Sequence, residues 1–237
     1  MFVTTEGIVL RVYPFKDNKC IAKIFTKDYG LVSFIVKKTK NQIILSQQLT
    51  VAEITYRKTK NKDLFYVKET HIKYVYNNIM LNYAKRQYSI VLCDLLHKCL
   101  KEPNSNIYEF MAESFNWLNG VDKYCVGFDS LFLIHLCEKS GISPFTNVKD
   151  YCQEKKLDIL EGKFAKNSMV SNKKHVVPIK ESVALYQLAK LDFDDLKNYN
   201  LAESLNASMF NYLILYISTH LSEVKSLKSV QLLKDIV

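Results

Sequence analysis

The sequence predicts an α+β protein in which a small β-barrel is followed by a mainly helical domain. Hydrophobic residues repeat with a period of two up to about residue 76 and with a period near 3.6 from there on. The 237 residues, 48% of them hydrophobic, suffice for two domains, which we place at 1–76 and 77–237. Residues 1–75 hold 14 Lys and Arg against 6 Asp and Glu, whereas the rest hold 19 against 18. Of the net charge of +9, +8 therefore belongs to the barrel.

Five strands are predicted in the first 71 residues, from runs of β-branched and aromatic residues bounded by polar turns. They span residues 5–13, 20–25, 31–36, 49–56 and 64–71. The first stops at Pro14, and Gly30 can supply the positive φ of a short hairpin connection between the second and the third. Three consecutive strands thus form a meander. A five-stranded barrel of the OB type accommodates this pattern, and so does an SH3-like barrel.

From residue 77 the hydrophobic positions follow a helical period. We expect a long amphipathic helix over 79–100 and further helices over 107–118, 124–139 and 205–220. Between residues 141 and 178 the periodicity fails, because Pro144, Gly162 and Pro178 interrupt short alternating pieces. The C-terminal domain is therefore expected to be mainly helical, with an irregular loop or hairpin insertion at about 141–178.

The charge excess of the first domain predicts a polyanionic partner, because Lys and Arg neutralise phosphates and release their counterions. Long cationic side chains in the connections of a barrel follow a phosphate backbone at little folding cost. Surface lysines also keep domains soluble, which explains any single lysine but not the uneven distribution. The candidate nucleic-acid-binding residues are Arg11, Tyr13, Phe15, Lys16, Lys19, Lys37, Lys38, Lys40, Arg57, Lys58, Lys60 and Lys62.

Aromatic residues near these connections are candidates for stacking on unpaired bases, which contributes about 1 to 3 kcal/mol per base. Tyr13 and Phe15 lie next to the predicted turn after the first strand and are included for that reason. Phe34 and Tyr56 lie within strands, and Phe34 shares its face with other apolar residues. These two residues fit the core as well as a nucleic-acid contact.

Four short motifs follow one another at defined spacing near the start of the chain: Thr5-Glu6-Gly7-Ile8-Val9-Leu10-Arg11, Phe25-Thr26, Gly30-Leu31 and Lys37. In order and spacing they resemble the start of RecO recombination mediator proteins. The later layout is also similar to that family, since a barrel of the OB type precedes a helical domain, an irregular insertion and a last helix at 227–234. The resemblance thus spans the chain.

This resemblance implies a protein of DNA repair and recombination that acts after DNA damage. It implies binding of single- and double-stranded DNA, annealing of complementary strands, contact with the acidic tail of single-stranded-DNA-binding protein, and cooperation with RecR in loading RecA. Candidate residues for a partner are Lys225, Lys228 and Lys234. Many members carry a four-cysteine zinc site in the insertion, where this chain has only Cys152, so we predict no zinc.

Motifs for other chemistry are missing from the sequence: there is no Gly-x-x-x-x-Gly-Lys-Ser/Thr, no Gly-x-Gly-x-x-Gly and no His-Glu-x-x-His. We therefore predict that the protein is not an enzyme and needs no cofactor. Cys93 and His97 share a helix face as zinc ligands would, but on an apolar helix such residues are usually core. Two alternatives stay open, an RNA-binding OB protein and a metal-dependent nuclease. The nuclease would use Asp192, Asp194 and Asp195, although acidic residues before a helix are more often caps.

The sequence also bears on location. No apolar run reaches the roughly 18 residues that a membrane-spanning helix needs, and residues 1–10 lack the features of a secretory signal. The 6 cysteines include no Cys-x-x-Cys pair, which is unlike a disulfide framework. We therefore expect a cytoplasmic protein with reduced thiols and no membrane partner.

Overall fold

The computed structural model describes residues 1–40, 42–59, 62–145, 155–166 and 175–221. The chain divides into two compact units, Met1–Lys123 and Tyr124–Val237. The predicted division after residue 76 lies at the end of the barrel strands, whereas the first compact unit also includes the helices that follow the barrel. None of the helices in the described ranges combines the length and the apolar content that crossing a membrane requires.

The first unit contains a closed barrel of five strands within the described residues. The strands are β1 (Phe2–Pro14), β2 (Lys19–Thr26), β3 (Gly30–Lys37), β4 (Val51–Arg57) and β5 (Leu64–Tyr74). Their order around the barrel is β1-β2-β3-β5-β4, and β4 pairs with β1 to close it. All neighbours are antiparallel except β3 and β5, which are parallel. This arrangement confirms the OB-like barrel followed by a mainly helical region.

Alternating residues of the strands fill the barrel. Val9, Ile24, Phe34, Ile54 and Tyr56 point inward and are completely buried. The rings of Phe34 and Tyr56 meet edge to face, with their centroids 4.9 Å apart. The inward positions repeat with the period of two from which the strands were predicted.

Strand β1 pairs with β4 along its first half and with β2 along its second half. Gly7 lies where both partners are present, opposite Thr26 and Ala52. A side-chain carbon at Gly7 would lie 2.6 Å from Cγ2 of Ile24, so only glycine fits this close approach. A bulge between Val9 and Arg11 shifts the register beyond this point.

Three helices complete the first unit: α1 (Asn77–Leu81), α2 (Tyr83–Cys99) and α3 (Ser105–Gly120). The prediction of a single helix over 79–100 was wrong, because the backbone is extended at Asn82, with φ of −92° and ψ of 122°. The Asn82 side chain instead accepts a hydrogen bond from the Lys85 amide and caps α2. Hydrophobic periodicity continues across this cap and therefore does not reveal it.

The connection between α2 and α3 covers one end of the barrel. The amide of Leu31 donates to the carbonyl of Lys101 over 2.9 Å. The hydroxyl of Tyr108, on α3, donates to the carboxylate of Glu6, on β1, over 2.9 Å. The turn between β2 and β3 is thereby covered at Thr26 and Gly30, which are buried, although Asp28 is exposed. Lys16, Asp17 and Asn18, in the turn at the opposite end, are all exposed.

The second unit is mainly helical, with a hairpin in the predicted insertion. Its elements are α4 (Phe128–Lys139), β6 (Lys155–Asp158), β7 (Lys163–Lys166), α5 (Ile179–Leu188), a 3-10 helix (Phe193–Lys197) and α6 (Glu203–His220). Neither α5 nor the 3-10 helix was predicted from the sequence. Helix α4 begins later than predicted, since Gly127 precedes it with φ of 101°.

A buried polar cluster connects α4 with α6. One carboxylate oxygen of Asp129 accepts hydrogen bonds from the Tyr124 hydroxyl at 2.6 Å and from the Asn206 amide at 2.9 Å. The hydroxyl of Ser130 donates to the Asn206 side-chain oxygen at 2.7 Å. Asp129 is fully buried, and loss of hydration raises the pKa of its carboxyl, against the opposing effect of these hydrogen bonds.

Candidate nucleic-acid interface

The outward side of β2, β3 and β5 carries a row of lysines around an exposed tyrosine. Lys19 lies opposite Lys37 in the β2–β3 ladder, and Tyr66 lies beside Ile35 in the β3–β5 ladder. Because side chains alternate along a strand, these residues share the face opposite to the buried Phe34. We call the following set the open sheet face: Lys19, Lys23, Lys37, Tyr66 and Lys68.

Two exposed aromatic rings on this side of the barrel each have an ammonium group over them. The Tyr66 ring, 55% exposed, has the Nζ of Lys19 at 5.7 Å from its centroid. The Phe2 ring, 54% exposed, has the Nζ of Lys68 at 4.7 Å. An exposed ring offers a flat surface to an unpaired base, and the neighbouring ammonium group offers a contact to its phosphate.

The turn between β1 and β2 extends this basic surface. Lys16 adopts the left-handed conformation, with φ of 52°, and its Nζ lies 5.5 Å from the centroid of the Phe15 ring. The amide of Lys38 donates to the carbonyl of Asn18 over 3.0 Å, so the end of β3 is joined to this turn. Lys40 follows and is exposed. The structure therefore brings Phe15, Lys16, Lys19, Lys37 and Lys38 together at one end of the barrel.

The connection between β4 and β5 lies near the start of β1. Arg57 is opposite Phe2 in the β1–β4 ladder, which places it beside the Phe2 and Lys68 pair. The Nζ of Lys58 lies 3.9 Å from the centroid of the Tyr29 ring. Lys62 is exposed, whereas Lys60 lies outside the described residues. This group adjoins the open sheet face through Phe2.

Two predicted binding residues of β1 are already in contact with α2. The guanidinium of Arg11 forms an ion pair with Asp94. The hydroxyl of Tyr13 lies 3.4 Å from Nε2 of His97, and the Arg11 guanidinium lies 5.7 Å from the Tyr13 ring. Arg11 is opposite Lys23 in the β1–β2 ladder, so this group borders the open sheet face along β1.

The structure decides between core and contact for two aromatic residues. Phe34 and Tyr56 are completely buried, so both belong to the core. Burial raises the pKa of the Tyr56 hydroxyl to about 12. Neither ring is accessible to a base, which resolves the alternative that the sequence left open.

The side chains considered for metal binding have other partners or positions. The carboxylate of Asp195 accepts a hydrogen bond from the Asp192 amide at 2.8 Å in a capping box, and Asp194 forms an ion pair with Lys197 at 2.6 Å. Cys93 is fully buried, which raises the pKa of its thiol. Within the described ranges, His, Cys, Asp and Glu side chains form no group of three or more that could hold a metal ion.

Several predicted residues lie outside the described part of the chain: Lys225, Lys228, Lys234, Cys152 and the helix at 227–234. Conversely, Phe2, Lys23, Tyr66 and Lys68 were not among the predicted binding residues. The prediction drew mainly on cations in the connections and treated most strand positions as core. The outward positions of β2 and β5 carried the missing signal, since every second residue of a barrel strand faces away from the core.

Comparison with known proteins gives matches along the whole chain. Residues 1–76 match the family model described as Recombination protein O N terminal. The chain is 23% identical over 245 residues to the DNA repair protein RecO of Porphyromonas gingivalis, with 100% of this chain and 99% of that protein covered. Proteins of the same name from Bacteroides fragilis and Christiangramia forsetii are 25% and 24% identical over 243 and 244 residues, with the same coverage.

Proposed function

We propose that this chain, which belongs to the RecO family, is a DNA-binding recombination mediator of DNA repair that binds and anneals single strands. It would also help to load a recombinase onto protein-coated single strands. Family membership supports a role in DNA repair. The observation that carries the binding proposal is the open sheet face, where lysines surround an exposed aromatic ring.

The open sheet face suits a single strand better than a duplex. Unpaired bases stack on the Tyr66 and Phe2 rings, while Lys19 and Lys68 turn from those rings toward the phosphates. The bases of a duplex are already stacked on each other, so a duplex gains only the phosphate contacts. Both forms of DNA bind, and the single strand binds more tightly at equal charge.

Annealing on this surface requires no chemical step. Lysines that neutralise two strands at once reduce the repulsion between their phosphates, and the strands then pair spontaneously. The protein acts without nucleotide and is not an enzyme. We further propose that its partners include RecR, the acidic tail of single-stranded-DNA-binding protein and, indirectly, RecA. We also propose that it works in the cytoplasm.

The salt dependence of single-strand binding tests the lysine contacts. We expect Lys19→Ala, Lys37→Ala and Lys68→Ala each to flatten the slope of log K against log salt by about 0.7, and the triple variant by about 2. The matched control is Lys27→Ala, since Lys27 lies outside the open sheet face, near the covered end of the barrel. Lys27 pairs with Glu109 at 2.9 Å, as Lys68 pairs with Glu69 at 3.1 Å, so the control also matches the loss of a surface ion pair. A triple variant with the slope of the Lys27→Ala control would contradict the assignment.

The stacking contact is tested separately at Tyr66. We expect Tyr66→Leu to weaken single-strand binding by about 5- to 150-fold, whereas Tyr66→Phe keeps the ring and the affinity. Duplex affinity should be the same in both variants. Equal single-strand affinity of the Leu and Phe variants would show that no base stacks on this ring.

Annealing is measured by fluorescence with complementary oligonucleotides, in chelator and without nucleotide. We expect the protein to accelerate pairing under these conditions. The same titrations with RNA of equal sequence examine the alternative partner, because a binder of RNA recognises the 2′-hydroxyl and prefers it. Tighter binding of RNA than of DNA, or pairing at the uncatalysed rate, would overturn the proposed function.

A further inference from the structure

A cleft of about 720 Å³ lies beside β1 in the first unit. It is lined by Arg11 and Val12 of β1, by residues 46–48 and by Met80 of α1. Ser46 is the last residue of a 3-10 helix, Ile43–Ser46, and Gln47 and Gln48 follow that helix. The cleft is therefore formed by three elements of one compact unit.

Hydrogen bonds to the bulged part of β1 fix one wall of the cleft. The side-chain amide of Gln48 donates to the carbonyl of Leu10 over 2.7 Å. The amide of Leu49 donates to the carbonyl of Val9 over 2.8 Å, and Leu49 itself adopts a φ of 63°. A leucine in this conformation costs about 1 kcal/mol or more and persists only where its surroundings determine it. The wall is thus preformed.

The polar groups of the cleft match the edge of a nucleobase. The Gln47 side chain makes no hydrogen bond to any other residue that the structure describes, so its amide presents a donor and an acceptor. Gln48 gives one amide hydrogen to Leu10 and keeps its oxygen. Glutamine amides pair with bases through such a donor and acceptor. Met80 adds apolar surface for the base plane, whereas the Val12 side chain packs toward the barrel core.

The charges at the cleft favour a base inside it and a phosphate at its rim. The Arg11 guanidinium is paired with Asp94, so its charge is largely compensated there. Arg86 is exposed and donates to the carbonyl of Met80 over 3.1 Å, which places a second guanidinium at the edge of the cleft. A planar neutral group with an attached anion, such as a nucleotide, fits this distribution.

We propose that this cleft binds an unpaired nucleotide of a second strand while the open sheet face holds the first. The inference rests on the proposed function and adds a separate site to it. Tyr66 on β5 and Arg11 on β1 lie on strands two positions apart around the closed barrel, with β4 between them, which is a spacing of about 10 Å. Two strands held at this separation meet at a high effective concentration, which speeds their pairing beyond charge neutralisation alone.

Variants of Gln47 test the cleft. Gln47→Glu removes the amide donor and adds a charge that repels phosphate, and Gln47→Ala removes both polar groups. We expect both to keep first-strand affinity within about twofold and to slow annealing at least about fivefold, the lower end of what one amide–base pair contributes. Gln187→Glu, a matched charge change on the exposed side of α5, should anneal at the wild-type rate.

A second measurement counts strands directly. Sedimentation with a short, non-complementary oligonucleotide should give two bound per wild-type protein and one per Gln47→Glu variant. Wild-type protein that neither binds nor anneals single strands would refute the proposed function itself. In another outcome, the wild-type protein binds and anneals single strands while the Gln47 variants anneal at the wild-type rate and bind equally many oligonucleotides. That result would refute the second-strand site in the cleft and leave the proposed function standing.

Discussion

Replacing Gly30 with alanine should separate the barrel from the helices that cover its end. Gly30 begins β3 with a φ of 68°, which an alanine adopts only at a cost of about 1 kcal/mol. The new side-chain carbon would lie 2.2 Å from the carbonyl oxygen of Lys101, 2.6 Å from the carbonyl carbon of Glu102 and 2.7 Å from the nitrogen of Pro103. All three are backbone atoms, so no side chain can rotate to make room.

The expected loss of stability follows from these distances. Relief of the clash requires the turn and the loop to part by about 1 Å, since carbon and oxygen atoms in contact lie over 3 Å apart. That movement breaks the hydrogen bond from Leu31 to Lys101, which contributes about 0.5 to 1.5 kcal/mol. With the backbone strain and lost packing, Gly30→Ala should lower the free energy of unfolding by about 2 to 4 kcal/mol. The corresponding fall in Tm is about 5 to 12 °C.

The assay uses the single tryptophan of the chain, Trp117, which lies on α3 and reports unfolding of the first unit. Gly141 has a φ of 72° but nothing within 4 Å of an added carbon, so Gly141→Ala carries the strain without the clash. Unfolding of the Gly141→Ala variant is followed by circular dichroism, because Gly141 lies in the second unit. Gly120→Ala introduces neither backbone strain nor a clash, so it should leave stability unchanged or raise it slightly. If Gly30→Ala loses no more stability than Gly141→Ala, the turn is not confined as described.

Three further predictions concern stability and reactivity. Burial raises the pKa of the Asp129 carboxyl above its ordinary 3.8. At pH values between the unfolded and the folded pKa, the folded protein keeps a proton that the unfolded chain releases. The free energy of unfolding therefore falls as the pH rises through this range. Thermal denaturation over a pH series should show this fall in Tm for the wild type but not for Asp129→Asn. If the Tm of both proteins changed with pH in the same way, the prediction would be contradicted. The Asn119 side chain accepts from the amides of Asn78 and Ile79 at 3.0 and 3.3 Å, so Asn119→Ala should cost about 1 to 2 kcal/mol and Asn119→Asp much less. Cys93, fully buried with a raised thiol pKa, should react with iodoacetamide only after unfolding, as peptide mass mapping would show.

Hydrophobic alternation was sufficient to predict the barrel. Every predicted strand overlaps one in the structure, because inward residues such as Ile24 and Phe34 repeat at the period that β-structure requires. Hydrophobic alternation does not indicate the order of the strands, since the parallel pairing of β3 with β5 depends on contacts between residues distant in sequence. The break at Asn82 was missed because a capping side chain interrupts the backbone without interrupting the apolar pattern.

The site was predicted less completely than the fold. Net charge indicated which module is basic, but charge does not distinguish Lys37, which lies on the open sheet face, from Lys27, which pairs with Glu109. The ion pair of Arg11 with Asp94 joins residues 83 positions apart, and no local pattern indicates it. Tyr66 was identifiable only after the register of β5 was known, because an aromatic residue in a strand is more often core.

The barrel has no channel, since the rings of Phe34 and Tyr56 fill its centre. Under the proposed function, DNA bound on the outside of the barrel is therefore neither threaded nor encircled. Such a protein would reach a gap in the middle of a chromosome without a free DNA end, and it would leave sideways when another protein takes its place. A ring-shaped clamp would need an opening step for either event, whereas arrival and departure on the proposed surface would depend only on local contacts and on ionic strength.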